Sequence, residues 1–294
     1  MAKEKNDMEQ VKQCDQQLEQ MGGREEYQRA SQLSTSFHST SKWVLGNLAR
    51  NGWLYGIMKS DDDDNHNPLA PQSASTKTRK RPRRKTRLLE VGAINTELLD
   101  AAMETVAVTT NDKQSTNDDD EEDEEEQVPK YKLDVRAIDI HSMDERIAEA
   151  DFLTFPLLSQ APSERYDVIV CSMVLNCVTT PPERGKMLAR LYHHLRPGGL
   201  LFLTIPLFCI TRGAFLTPAL FREMLGVGGV GFDLEETKES PRLAFFVCRR
   251  PQEDPTEPLK SKWTKQTIRN RGKKFPNQFS VVLEEDEVFG RVDI

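Results

Sequence analysis

The sequence predicts an α/β fold, a doubly wound and mostly parallel sheet with an antiparallel closing strand. Three observations carry that reading. Arg87-Leu88-Leu89-Glu90-Val91-Gly92 is a short apolar run that ends in an acid and a glycine and then passes into a helical pattern, as a buried parallel strand feeding a helix does. Tyr166 to Ser172 repeats the continuous apolar character. Between Pro181 and Leu195 the apolar residues Met187, Leu188, Leu191 and Leu195 recur at helical spacing, and an Arg196-Pro197-Gly198-Gly199 turn then introduces a further strand, Leu200 to Ile205. Strands alternating with helices build parallel sheets.

Taken in order, residues 1–26 are rich in Glu, Gln and Lys with a weak apolar pattern and read as loose or disordered. Residues 27–58 carry scattered aromatic and aliphatic side chains among Ser and Thr, enough for a helical flanking element. Residues 59–85 read as a disordered charged linker, and 86–250 as the α/β domain. Within it, Asn95 is placed to cap the helix after Gly92. The acidic stretch 111–128 reads as a disordered insertion. Tyr131 to Ile140 is a second strand ending in an acid, Ala150-Asp151-Phe152-Leu153 marks the end of a third, and Thr217 to Leu225 is a short helix. Gly231 to Glu236 and Arg242 to Cys248 read as a closing antiparallel pair. Residues 251–294 form a basic extension in which lysines and arginines surround Trp263 and Phe275, a mixture that suits RNA phosphates and exposed bases or a plain solvated tail.

Composition narrows the function classes. A hydrophobic fraction of 37% and a mean hydropathy of -0.60 are low for 294 residues, so much of the chain is expected to lie outside the folded core. No apolar stretch is long enough for a bilayer and the N-terminus lacks an apolar signal region, so a soluble intracellular protein without a membrane partner is expected. The five cysteines form no paired spacing, which argues for buried thiols and against a metal site. The net charge of -7 conceals a basic body: without Asp61–Asp64 and Asp118–Glu126 the chain has 34 acids against 40 bases. Eight bases in the eleven residues Lys77 to Arg87 read as a nuclear-import signal, a phosphate-binding segment, or both.

The candidate ligand seat is the turn at Gly92. A residue without a Cβ lets backbone and ligand approach, and the following helix offers unpaired N–H groups. Pyrophosphate cofactors want further glycines, whereas Ala93, Ile94 and Asn95 follow here, so a ligand without phosphates suits the turn better. Asp139, at the tip of the second strand, is placed either to accept two ribose hydroxyls or to cap the next turn. Asp151 would accept an exocyclic amine of adenine, with Phe152 or its backbone N–H lining the base. His193 and His194 read as surface or satisfied residues.

In sequence, Leu89-Glu90-Val91-Gly92-Ala93-Ile94-Asn95, Val135-Arg136-Ala137-Ile138-Asp139-Ile140, Asp151-Phe152, Tyr166 to Val178, Leu195-Arg196-Pro197-Gly198-Gly199-Leu200 and Phe279-Ser280-Val281-Val282-Leu283 resemble a class I S-adenosylmethionine-dependent methyltransferase with its Rossmann-like sheet. More narrowly they resemble the fungal 25S ribosomal RNA adenine-N1 methyltransferase family, over roughly 27–58, 86–110 and 130–283. The resemblance implies S-adenosyl-L-methionine as cofactor, with Gly92 against its methionine part, Asp139 on its ribose, and Asp151 with Phe152 at its adenine. It implies large-subunit ribosomal RNA or a pre-ribosomal particle as partner, a nuclear and nucleolar location, and no metal. The Asn/Asp-Pro-Pro-aromatic motif of many nucleic-acid N-methyltransferases is replaced by Ser172-Met173-Val174-Leu175-Asn176, so catalytic residues are not transferred. Asn176 is the candidate for hydrogen-bonding the target base, with Phe208 or Phe215 to stack on it. Animal relatives that sense S-adenosylmethionine give the alternative, a non-catalytic sensor acting through a protein partner.

Overall fold

The computed structural model describes residues 40–58, 83–109, 125–142, 144–269 and 277–290. The expectations for 1–39, for most of the charged linker, for Asn111 to Glu124 of the acidic insertion and for Phe275 fall outside them.

The described residues begin with helix α1 (Thr40–Arg50), a 3-10 turn (Trp53–Tyr55) and strand β1 (Ile57–Met58), which pairs antiparallel with β2 (Arg83–Arg84). The central strands follow: β3 (Thr86–Val91), β6 (Leu133–Asp139), β7 (Ala148–Glu149), β8 (Tyr166–Ser172), β9 (Leu195–Pro206), β10 (Asp233–Glu239) and β11 (Leu243–Arg249). They form one seven-stranded sheet in the order β10-β11-β9-β8-β3-β6-β7. Strand β11 runs antiparallel to both neighbours, and the other pairings are parallel. The chain builds outward from β3 to β6 and β7, then returns to add β8 and β9 on the other side. The order therefore reverses beside β3, and the C-terminal ends of β3 and β8 flank the crevice where open α/β sheets bind ligands.

Both faces of the sheet are covered, which explains why its strands read as continuous apolar runs. Leu88, Val168, Val170, Leu200 and Phe202 pack with Val44 and Leu48 of α1 and with Leu98 of α2 (Glu97–Met103). Their alternate neighbours Leu89, Val91, Ile169, Cys171, Leu201 and Leu203 pack with Met187, Leu188 and Leu191 of α3 (Pro181–His194) and with Phe221 and Met224 beyond. The Trp43 ring meets Phe202 and Phe245 edge-on, centroids 5.2 and 5.1 Å away. Helix α3 starts where proline and a capping box agree: Thr180 Oγ1 accepts from Glu183 N, and the Glu183 carboxylate accepts from Thr180 N at 3.1 Å.

Several sequence expectations shift. The acidic insertion is narrower than 111–128, because strand β5 (Glu125–Pro129) pairs antiparallel with β4 (Thr105–Thr109). The basic run ends in structure. Arg84 donates to both oxygens of the fully buried Asp167 at 2.5 and 2.6 Å, and Arg87 donates from its backbone to Asp167 and from its guanidinium to the carbonyls of Ser163 and Glu164. These two arginines are held by the fold and are not spare phosphate contacts. His194 is not at the surface: it is fully buried and stacked on Phe155, whose backbone gives its ring at best a weak hydrogen bond. Burial, then Arg190 and Arg165, hold it neutral with a pKa near about 3.

The extension after Pro251 packs back onto the domain. Trp263, Phe279, Val281 and Leu283 are buried in the main core, and Val282 N donates to Pro181 O at 3.0 Å. Gly185 makes this possible, since a Cβ there would lie 1.7 Å from the Val282 carbonyl oxygen. Trp263 is therefore a core residue and cannot stack on a nucleobase.

Candidate functional site

The Gly92 turn lies at the C-terminal end of β3 with φ +73°, a left-handed conformation that glycine adopts freely. Its N–H donates to Ile138 O at 2.8 Å, binding the turn to the end of β6. A Cβ on Gly92 would stand 2.1 Å from Val174 Cγ2. The glycine thus lets the loop after β3 and the loop after β8 close on each other.

Beside it, β6 and β7 bring the two sequence-predicted acids to the same edge, through the pairs Ile138 with Ala148 and Asp139 with Glu149. Asp139 is half-buried, and burial raises its carboxyl above the usual range, opposed by the hydrogen bond from His141 N at 2.8 Å. Its second oxygen accepts no hydrogen bond among the described residues. Asp151 is exposed and spends one oxygen on its own turn, accepting from Leu153 N at 2.9 Å. The expectation for Phe152 needs correcting. Its ring is 3% exposed, 5.1 Å from His194 and 6.5 Å from Phe155, so it is packed into the core and not turned to the crevice. Its backbone N–H, which donates to no other group among the described residues, is the part left for a base.

Two residues of this edge were given no role by the sequence reading. Glu90 is 8% exposed, with Oε2 buried and unpartnered. Burial, with Glu97 adding to it, pushes its carboxyl up to about 8. An acid inside an otherwise apolar strand, two residues before the glycine, was the available signal. Ile140, next to Asp139, is a large apolar side chain left 66% exposed, an apolar surface at the mouth of the crevice.

Across the crevice, Met173 takes a positive φ of 62°, rare for a residue with a side chain, in the loop that carries Asn176. The Asn176 Oδ1 is buried with no donor among the described residues, and its Nδ2 reaches only Cys177 Sγ at 3.4 Å. A chain of hydroxyls, Thr40 Oγ1 to Ser172 Oγ at 3.1 Å and Ser172 Oγ to Thr204 Oγ1 at 2.8 Å, ties the start of α1 to the ends of β8 and β9 just below this loop. Of the two stacking candidates, Phe208 is exposed and Phe215 is half-buried. A cavity of about 390 Å³ lined by Arg87, Arg136, Glu164 and Tyr166 lies at the opposite edge of the sheet, away from these groups.

Glu90 gives a pH signature. Its carboxyl titrates higher in the folded chain than when unfolded, so the native state holds a proton that the unfolded chain has released. Stability should fall as pH rises from about 4.5 to about 8 and then level off. Melting temperatures of the wild type and Glu90→Gln across that range check this, with a flatter profile expected for the variant.

The family described as Bmt2, 25S rRNA (adenine(2142)-N(1))-methyltransferase, matches residues 12–129 and 122–281 of the chain. A curated relative, the 25S rRNA (adenine(2142)-N(1))-methyltransferase of Saccharomyces cerevisiae, is 29% identical over 139 residues, which make up 47% of this chain and 39% of that protein. The chain is thus matched over about two fifths of that relative's length. Similar solved structures include the 1,6-didemethyltoxoflavin-N1-methyltransferase of Burkholderia thailandensis, with S-adenosylhomocysteine bound, at 15% identity and a TM-score of 0.38 over 57% of this chain and 72% of that one. Another is the N-methyltransferase NodS of Bradyrhizobium japonicum, at 13% identity and a TM-score of 0.35 over 57% and 79%.

Proposed function

Because the chain belongs to the Bmt2 family of 25S rRNA adenine-N1 methyltransferases, we propose that it is an S-adenosyl-L-methionine-dependent enzyme that methylates N1 of an adenine in large-subunit ribosomal RNA. The observation that supports this most is the convergence of Gly92, Asp139 and Asn176 on the C-terminal edge of three adjacent parallel strands, at the point where the strand order reverses. The chemistry of these groups fits the cofactor. The glycine turn gives close approach without a phosphate cradle, the free oxygen of Asp139 suits a ribose diol, and the Phe152 N–H with Asp151 suits the edge of an adenine. The Glu90 carboxyl, held protonated by burial while the site is empty, has one oxygen without a partner among the described residues and would gain charge beside a cationic ligand. Bound there, S-adenosylmethionine supplies an electrophilic methyl group on a sulfonium.

The chain's own task is then to position the acceptor. Adenine N1 has an in-plane lone pair and needs no general base, so orientation and exclusion of water supply the rate. It lies on the Watson–Crick edge, and the base must leave any duplex to react. As N1 gains the methyl group the ring becomes cationic, and its exocyclic N–H becomes a stronger donor. The orphaned Oδ1 of Asn176 accepts that hydrogen bond, an interaction tighter in the transition state than in the ground state. A nuclear and nucleolar location accords with this substrate and with the basic run from Lys77.

Asn176→Ala should leave S-adenosylmethionine affinity within about twofold and lower single-turnover methyl transfer by about 100-fold, as expected for loss of one such contact. Calorimetric titration of the cofactor alongside a rapid-quench methylation assay tests it. Unchanged transfer by the variant would remove Asn176 from the reaction.

A further inference from the structure

Ile268, Arg269 and Asn277 lie against the turn that follows β9, beside the crevice. Helix α4 (Leu207–Thr211) leaves the C-terminal end of β9, and its Phe208 is 55% exposed. Three backbone hydrogen bonds lock Arg269 and Asn277 onto the turn after this helix: Arg269 N to Ala214 O at 2.8 Å, Ala214 N to Asn277 O at 2.9 Å, and Asn277 N to Arg212 O at 3.3 Å. Asn277 Nδ2 also donates to Phe208 O at 3.3 Å. These ties gather two exposed apolar side chains, Phe208 and Ile268 at 52%, with two exposed guanidinium groups, Arg212 and Arg269. Among the described residues neither arginine has an acid partner, whereas Arg222, Lys260 and Lys262 of the same C-terminal half are each paired with a glutamate.

We propose that Phe208, Arg212 and Arg269 form a docking surface for single-stranded RNA, on which the nucleotides flanking the target adenine rest. The inference builds on the RNA-methylating reading of the adjacent crevice. An aromatic face takes any unstacked base, and unpaired guanidinium groups take phosphates; together they are the means by which proteins hold single strands without reading sequence. The position agrees with the chemistry. An adenine whose N1 is to react must be unpaired, so its neighbours arrive at the same edge of the sheet partly unstacked. Charge complementarity favours a polyanion here over a neutral protein surface, since these two arginines lack the acids that would otherwise neutralise them.

The test uses the full chain and a short fluorescent single-stranded RNA, with the same sequence as a duplex for comparison, titrated at several salt concentrations. The wild type should bind the single strand more tightly than the duplex. Phe208→Ala should weaken single-strand binding by about tenfold, the loss of one stacked base. The Arg212→Ala/Arg269→Ala double variant should make the slope of log affinity against log salt shallower by about 1.4, the loss of two phosphate contacts. Calorimetry with S-adenosylmethionine should give the wild-type value for both variants, which excludes misfolding as the cause. If the wild type binds the strand and both variants match it in affinity and slope, the docking surface is overturned and the methyltransferase reading stands. If the wild type binds cofactor but no RNA, the reading beneath the proposal fails as well.

Discussion

Gly92→Arg is expected to abolish cofactor binding and all methyl transfer, the largest functional effect available from a single site. Two costs coincide. A residue with a Cβ at φ +73° is strained by about 1–2 kcal/mol, and the Cβ itself would lie 2.1 Å from Val174 Cγ2, so the loops after β3 and β8 must part. The long side chain then occupies the seat assigned to the methionine end of the ligand. Calorimetry should show affinity weakened by at least about 100-fold, while the melting temperature reports how much of the loss is structural. Gly92→Ala isolates the backbone and Cβ costs, and adding Val174→Ala should recover part of the binding by relieving the contact. Wild-type affinity in Gly92→Arg would place the cofactor elsewhere.

Asp167→Ala should be the most destabilising substitution in the described fold. The carboxylate is fully buried at the start of β8 and accepts from Arg84, Arg196 and the Arg87 backbone. Although burial opposes it, these partners hold its pKa below the ordinary value. Its stabilisation is therefore complete above the unfolded pKa near 4 and is lost as pH falls through the lower folded value. Removing one partner from such a cluster leaves guanidinium charge with no buried counterion, at a cost of about 3–5 kcal/mol. For a domain of this size that is a fall in melting temperature on the order of 10 °C. Differential scanning calorimetry at neutral pH measures it, and a shift below about 1 °C would mean that the cluster contributes nothing net.

The sheet was legible in the sequence because its central strands are buried on two faces. Leu88 and Leu89, or Ile169 and Val170, point to opposite layers, so each run reads as uninterrupted apolar residues ended by a turn. The positions of Gly92 and Asp139 at strand tips were legible because each ends or follows an apolar run that the sequence shows directly. Side-chain direction was not legible. Phe152 sits where the sequence places it, yet its ring turns into the core against His194, a choice made by tertiary packing. The same blindness affects charge. Arg84 and Arg87 look like part of a basic tract, but their acceptors, Asp167 and the Ser163 and Glu164 carbonyls, lie about eighty residues away. The folding back of the extension depended on Gly185 being small enough to admit the Val282 carbonyl, a contact with no local pattern.

The most direct measurement incubates the purified chain with methyl-labelled S-adenosylmethionine and unmodified large-subunit ribosomal RNA, then digests the RNA to nucleosides and separates them. Labelled 1-methyladenosine, absent with Gly92→Arg, is the expected result. No labelled nucleoside, from a chain that binds the cofactor and the RNA normally, would contradict the enzyme and leave a cofactor sensor in its place.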